Sequence, residues 1–107
     1  MVEPVASFGR FAEPSLLILV SLSAGPLHGY LIMQDVESRT GRPLGAGTLY
    51  AALARLEKQG LIEAMPAVDR RRPYRLTAVG AAALAAQLRD LSELARFGLR
   101  RLGESRS

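Results

Sequence analysis

Gly25-Pro26-Leu27-His28-Gly29-Tyr30 opens a punctuated run. It continues through Gly47-Thr48-Leu49-Tyr50 and Gly60-Leu61-Ile62 to Arg70-Arg71-Arg72-Pro73-Tyr74-Arg75-Leu76-Thr77. Between the first two landmarks the pattern predicts a helix from His28 or Gly29 to about Thr40. Tyr30, Ile32, Met33 and Val36 form its inner face, and Gln34, Asp35, Glu37 and Arg39 its outer one. Pro43 disfavours a helical Arg42, so Gly41–Gly45 reads as a turn. A further helix follows from about Gly47 to Gln59, with Leu49, Leu53 and Leu56 as its core stripe and Gly60 just past its end. Ile62–Met65 and Pro73–Leu76 then alternate as two strands, with Ile62, Ala64, Tyr74 and Leu76 inward and Pro66–Arg72 as a flexible loop between them. Helix, turn, helix and basic hairpin in that order predict a mainly α fold with a small β-hairpin wing, the winged helix-turn-helix.

Outward from this run, Ser15 is expected to cap a helix from Leu16 to about Ser23. That helix is apolar on nearly every side and so buried on nearly every side. Thr77 is expected to cap a last helix reaching about Leu102. In it, Leu84, Leu88, Leu91, Ala95 and Leu102 follow the alternating four- and three-residue steps of a coiled-coil seam. Leu94, Phe97 and Leu99 widen that face beyond what one core helix satisfies, which favours dimerisation over folding back on the first helix. The organisation is therefore an arm over 1–14, a winged helix-turn-helix over 15–76, and a dimerisation helix with a short tail over 77–107.

Composition narrows the function. With 107 residues the chain makes one domain. The absence of cysteine removes disulfides, thiolate metal sites and thiol catalysis, and a single histidine, His28, removes multi-histidine sites. No glycine-rich phosphate loop opens a helix after a strand, so an enzyme is not expected, nor a cofactor or a metal. The longest strongly apolar stretch, Leu16–Val20 extending to Leu22, is far short of the roughly 20 residues that span a bilayer. The residues ahead of it, with Glu3, Arg10 and Glu13, lack the positive start of a signal peptide. A cytoplasmic protein is expected. The net charge of +4 is modest, but Arg70–Arg75 holds four arginines in six residues with no acid among them. On a wing, such a loop suits double-stranded DNA, because each neutralised phosphate releases a condensed counterion.

Candidate DNA-binding residues follow from the elements. The start of the second helix of a helix-turn-helix enters the major groove, which nominates Thr48 and Tyr50. The face opposite the leucine stripe carries Thr48, Ala51, Arg55 and Lys58. Lys58 reads equally as a phosphate ligand and as solvated surface. Tyr30 reads equally as core and as a phosphate contact, because its hydroxyl can reach out from a buried ring. His28 reads first as a helix-start residue held by local hydrogen bonds. Arg70, Arg71 and Arg72 are expected to grip the backbone or the adjacent minor groove.

These residues, from about Ser15 to about Leu102, resemble the PadR family of bacterial transcriptional regulators. The resemblance implies a homodimeric repressor on an inverted-repeat operator. It also implies control by a small hydrophobic, phenolic or drug-like effector near the dimer interface, for which Phe8, Phe11 and Phe97 are the obvious aromatic residues. The chain departs from the family pattern at Gly45-Ala46, where Ser-Pro is usual, and at Ala51, where Pro is usual. Pro73 replaces an aromatic, which is expected to shorten or displace the second wing strand. Leu31 replaces a polar residue and is expected to touch a partner. The rival readings are a winged helix used for protein interaction, against which the arginines speak, and a drug-binding regulator of another winged-helix family, against which the single C-terminal helix speaks.

Overall fold

The computed structural model describes residues 13–103. The expected arm, with Phe8 and Phe11, lies outside the described residues except for Glu13 and Pro14. Helix α1 spans Pro14–Leu22 and is capped by the extended backbone of Glu13. Pro14 takes the first helical position, where its preset φ fits and its missing N–H costs nothing. The expected cap at Ser15 is thereby corrected: its hydroxyl is turned toward α3 instead. Ile18, Leu19 and Leu22 bury the apolar side of α1. Ser21, also buried, donates its hydroxyl to Asp35 Oδ2 at 2.6 Å. That bond first, and the Arg39 guanidinium second, hold the Asp35 carboxyl below its ordinary value.

Strand β1 (Leu27–His28) leads into α2 (Gly29–Thr40), and α3 (Ala46–Lys58) follows the turn. Strands β2 (Ile62–Ala64) and β3 (Pro73–Leu76) form an antiparallel pair, to which β1 adds on the other side, giving the order β1-β3-β2. The register sets Leu27 opposite Tyr74 and Ile62 opposite Leu76. The sequence does not announce β1, since two residues hold no period. Pro73 begins β3 without breaking it, because the first residue of a strand tolerates a missing N–H and its carbonyl still accepts from Met65 N at 2.8 Å.

Ile18, Ile32, Leu49, Leu53, Leu56 and Ile62 are the fully buried large side chains. Each contributes about 2 kcal/mol of burial. Tyr30 does not join them. It is 56% exposed, which corrects its place on the inner face of α2.

Helix α4 (Ala78–Arg101) begins at a tightly bonded junction. The Thr77 N–H donates to the Leu61 carbonyl at 3.1 Å, the Thr77 hydroxyl donates to the Gly60 carbonyl at 2.7 Å, and Gly80 N–H donates to Thr77 Oγ1 at 2.9 Å. Gly80 is buried against this corner. A Cβ there would overlap the Leu61 peptide group, with the carbonyl carbon only 2.8 Å away. Replacing a helical glycine by alanine ordinarily stabilises by about 1 kcal/mol. Here the sign reverses: Gly80→Ala is expected to destabilise by about 1–3 kcal/mol, the usual cost of overpacking against atoms that cannot move aside. Thermal denaturation of Gly80→Ala beside Gly98→Ala, whose Cβ meets open space, checks this.

Candidate nucleic-acid interface

The exposed side of α3 is built by the burial of the other. Leu49, Ala52, Leu53 and Leu56 are buried, and at about 100° per residue the opposite line runs Gly47, Ala51, Ala54, Lys58, all exposed. Three of these four are glycine or alanine, so the ridge facing solvent is nearly bare backbone. Ala54 and Gly47 were not singled out from the sequence, because neither carries a chemical group; only the face they share reveals them.

Tyr50 and Arg55 lie on opposite flanks of that ridge, about 140° apart. Tyr50 is exposed and leans over the start of α2, where a Cβ on Gly29 would collide with its hydroxyl. Arg55 turns the other way, and its Nη2 donates to the Ser15 hydroxyl at 2.8 Å. The guanidinium is therefore directed at α1 and not out along the exposed ridge, as the face shared with Thr48 and Ala51 alone implied. Lys58 ends the ridge, exposed and with no bonded partner among the described residues.

Gly45 is the N-cap of α3, and no side chain caps the helix. The N–H groups of Ala46, Gly47 and Thr48 therefore point out of the helix end with no acceptor among the described residues, and with the positive end of the dipole behind them. An anion is their natural partner.

The wing is more ordered than the flexible loop expected from sequence. Val68 and Arg71 exchange both backbone hydrogen bonds, at 2.7 and 2.9 Å. The two residues between them, Asp69 and Arg70, have φ of 51° and 67°. Positive φ at both central positions is the signature of a type I′ hairpin turn, which normally takes Asn-Gly. Arg70 thus occupies a backbone region that costs a side-chain-bearing residue about 1 kcal/mol, and it projects with no bonded partner among the described residues. The other arginines are held. Arg71 Nη1 lies 3.5 Å from His28 Nε2, Arg72 Nη1 donates to the Met65 carbonyl at 3.2 Å, and Arg75 pairs with Glu63 across the strands at 2.5 Å. Arg75 is the cation the sequence count cannot discount.

Wing, α2 start and α3 start enclose an open cleft of about 460 Å³. His28, Tyr30, Tyr50 and Tyr74 line one part of it, and Arg70, Arg71 and Arg72 the other. Gln34 donates to the Tyr30 hydroxyl at 3.2 Å, which orients that ring from the same helix. Burial first, and the Glu57 charge second, push the Tyr74 hydroxyl above the ordinary tyrosine range, so it stays a protonated donor. Hydroxyls and guanidinium groups lining an open cleft beside a helix N-terminus have the chemistry to take an anion of the phosphodiester kind.

Helix α4 carries the remaining predicted residues. Leu84 is buried in the core, which removes it from the seam it was assigned to. Leu88, Leu91, Ala95 and Leu102 continue the same line along α4 and are exposed, with Leu94 and Leu99 beside them. Phe97 stands off that line, and Arg101 stacks over its ring at 4.9 Å from the centroid. Leu31 on α2 is also partly exposed. No helix among the described residues is long and apolar enough to cross a membrane.

Residues 18–86 match the family described as the transcriptional regulator PadR-like family. Over 88 residues the chain is 43% identical to the transcriptional regulator Rv3488 of Mycobacterium tuberculosis, covering 79% of this chain and 81% of that protein. It is 39% identical over 85 residues to an uncharacterized 37.1 kDa protein in transposon Tn4556 of Streptomyces fradiae, but spans only 25% of that protein's length. Among solved structures, a PadR family transcription regulator from Clostridium difficile superposes with a TM-score of 0.76 at 26% identity, covering 83% of this chain and 97% of that one. A transcriptional regulator from Clostridium thermocellum superposes at 0.72 and 27% identity, covering 94% and 97%.

The wing turn yields a prediction that separates strain from use. Replacing Asp69-Arg70 by Asn-Gly is expected to stabilise the protein by about 1 kcal/mol, since glycine accepts positive φ without penalty. The same change is expected to weaken binding to any duplex. It should also make log K against log salt shallower by about 0.9, the slope of one phosphate contact. Chemical denaturation and a salt-series titration on one DNA fragment check the two halves.

Proposed function

Since the chain belongs to the PadR-like family of transcriptional regulators, which bind DNA and are not enzymes, we propose how it does so: as a homodimeric repressor that reads an inverted repeat with α3. The observation carrying this is the bare ridge of α3 beside an uncapped helix start and a cleft of tyrosines and arginines. Gly47, Ala51 and Ala54 let the helix axis come close to base edges, and Ala51 and the Thr48 methyl suit contact with thymine methyl groups. Thr48 and the free N–H groups at the α3 start take the phosphate that borders the groove.

Tyr30, Tyr50 and the wing arginines hold the backbone on one flank, with Arg70 extending toward the adjacent minor groove, and Lys58 holds it at the far end of α3. These contacts set position and carry little sequence information. Arg55 acts from the other flank, and its tie to Ser15 gives it a part in holding α3 against α1. Dimerisation runs through Leu88, Leu91, Ala95 and Leu102 of α4, an exposed apolar line on a helix of about 36 Å that one small domain leaves uncovered. Two copies of α3 then stand about 34 Å apart, one turn of DNA. Release of the operator by a small-molecule effector is part of the same reading. The protein sits in the cytoplasm with its DNA.

Two substitutions test the halves separately. Ala51→Glu sets bulk and negative charge on the ridge, and is expected to abolish specific binding while circular dichroism and sizing stay normal. A variant that still binds the operator with wild-type affinity excludes α3 as the reader. Leu91→Asp buries a charge in the proposed seam, a cost of several kcal/mol, and is expected to give monomers by light scattering. An unchanged dimer excludes that seam.

A further inference from the structure

A second cavity, of about 340 Å³, lies behind the recognition helix, between the start of α1, the end of α3 and the early turns of α4. It is on the flank away from the wing. Its apolar lining is leucine with Ala83, Leu19, Leu61 and Leu84 among the leucines, and no aromatic ring stands among the described lining residues. Its polar lining carries both signs of charge, on Arg55 and Glu13, together with Gln59 and Gln87. Among the described residues neither charge belongs to an ion pair, and Arg55 spends its bond on the neutral Ser15 hydroxyl. A guanidinium beside an apolar floor binds a carboxylate more strongly than a hydroxyl, because the bond becomes charge-assisted on both sides. A carboxylate alone leaves Glu13 facing like charge; a ligand that also carries an ammonium satisfies both ends. The leucine base suits a branched aliphatic body, and the volume falls in the range of small-molecule sites.

We infer that this cavity binds a small aliphatic zwitterion of the α-amino-acid type, its carboxylate on Arg55, its ammonium toward Glu13 and its hydrocarbon on the leucines. As the effector site of the proposed regulator it rests on that reading for its consequence. The occupant touches α3 through Arg55 and α4 through Leu84, so it joins the helix proposed to read DNA to the helix proposed to form the dimer. Any preference for one relative setting of the two is then returned, by linkage, as an equal factor in operator affinity.

The test is calorimetric titration of the full chain with L-leucine, compared with isocaproate, which keeps only the carboxylate, and isoamylamine, which keeps only the ammonium. Leucine is expected to bind saturably, and each half-molecule on the order of tenfold more weakly or worse. Glu13→Gln is expected to weaken leucine binding and leave isocaproate no worse. Ala83→Phe, at an exposed α4 position on the cavity's lip and outside the proposed DNA interface, is expected to fill the space and abolish binding. No heat from leucine at about 10 mM, where even a millimolar site saturates, overturns the inference. Equal binding of all three probes, or undiminished leucine binding by Ala83→Phe, does the same. Should Ala83→Phe dissociate the dimer in light scattering, a second copy fills the cavity and the inference falls. A wild-type protein that binds leucine but no DNA supports this site and counts against the proposed function alone.

Discussion

Everything that gives this molecule a direction hangs on the corner where α3 hands over to α4. Gly60, Leu61, Thr77 and Gly80 meet there through three hydrogen bonds and a backbone approach with no room for a methyl group. One hydroxyl, that of Thr77, both accepts from the first turn of α4 and donates to Gly60, two residues past the end of α3. Helix α3 and the long helix are thus tied at this one corner by backbone groups, so any change in their relative setting pivots there. A dimer built on α4 transmits that setting directly to the spacing of two α3 copies. The core of isoleucine and leucine supplies most of the stability, but it is this corner that supplies the orientation.

Charge on the wing is smaller in effect than it looks in sequence. Of four arginines, Arg75 is neutralised by Glu63, Arg72 clamps the hairpin to Met65, and Arg71 leans on His28. What remains free is Arg70, held out at the turn in a conformation its side chain disfavours. Strain at a single exposed residue, in a hairpin otherwise well bonded, is a reason to look for a use. Tyr30, Tyr50 and Tyr74 matter to the same surface for a different reason. Their hydroxyls can donate hydrogen bonds without adding charge, so in the proposed complex they would position a backbone without raising affinity for every polyanion.

Periodicity made the frame legible. The leucine stripe of α3, the Thr77 cap of α4 and the alternation around Pro73 stand where the sequence puts them, because each follows from local rules that tertiary packing does not overrule. The differences are of three kinds. Strand β1 has two residues and no pattern, and exists only because β3 offers it an edge. Ser15 lost the cap to Glu13 because Pro14 claims the first helical position. Leu84, Tyr30 and Arg55 were assigned by face, and a face on a helical wheel does not say which neighbour stands opposite it. Leu84 shares its line with Leu88 and Leu91, yet the core ends between them. Arg55 shares a side with Thr48, yet its guanidinium is taken up by Ser15 of α1.

The start of α3 has a consequence in the time domain. Gly45 caps it without a side chain, Gly47 follows in the first turn, and three N–H groups have no acceptor among the described residues. Backbone freedom is greatest where fewest bonds oppose it, so the open end of this turn, ahead of the buried Leu49, is expected to open at a small fraction of the free energy needed to unfold the leucine-packed turns after it. Its amides exchange with solvent early, while those near Leu53 and Leu56 exchange only with global unfolding. In the proposed complex a phosphate at the helix end would close the turn. The ordering it imposes enters the binding heat and entropy as a small folding step, with magnitudes that grow together and largely cancel in affinity.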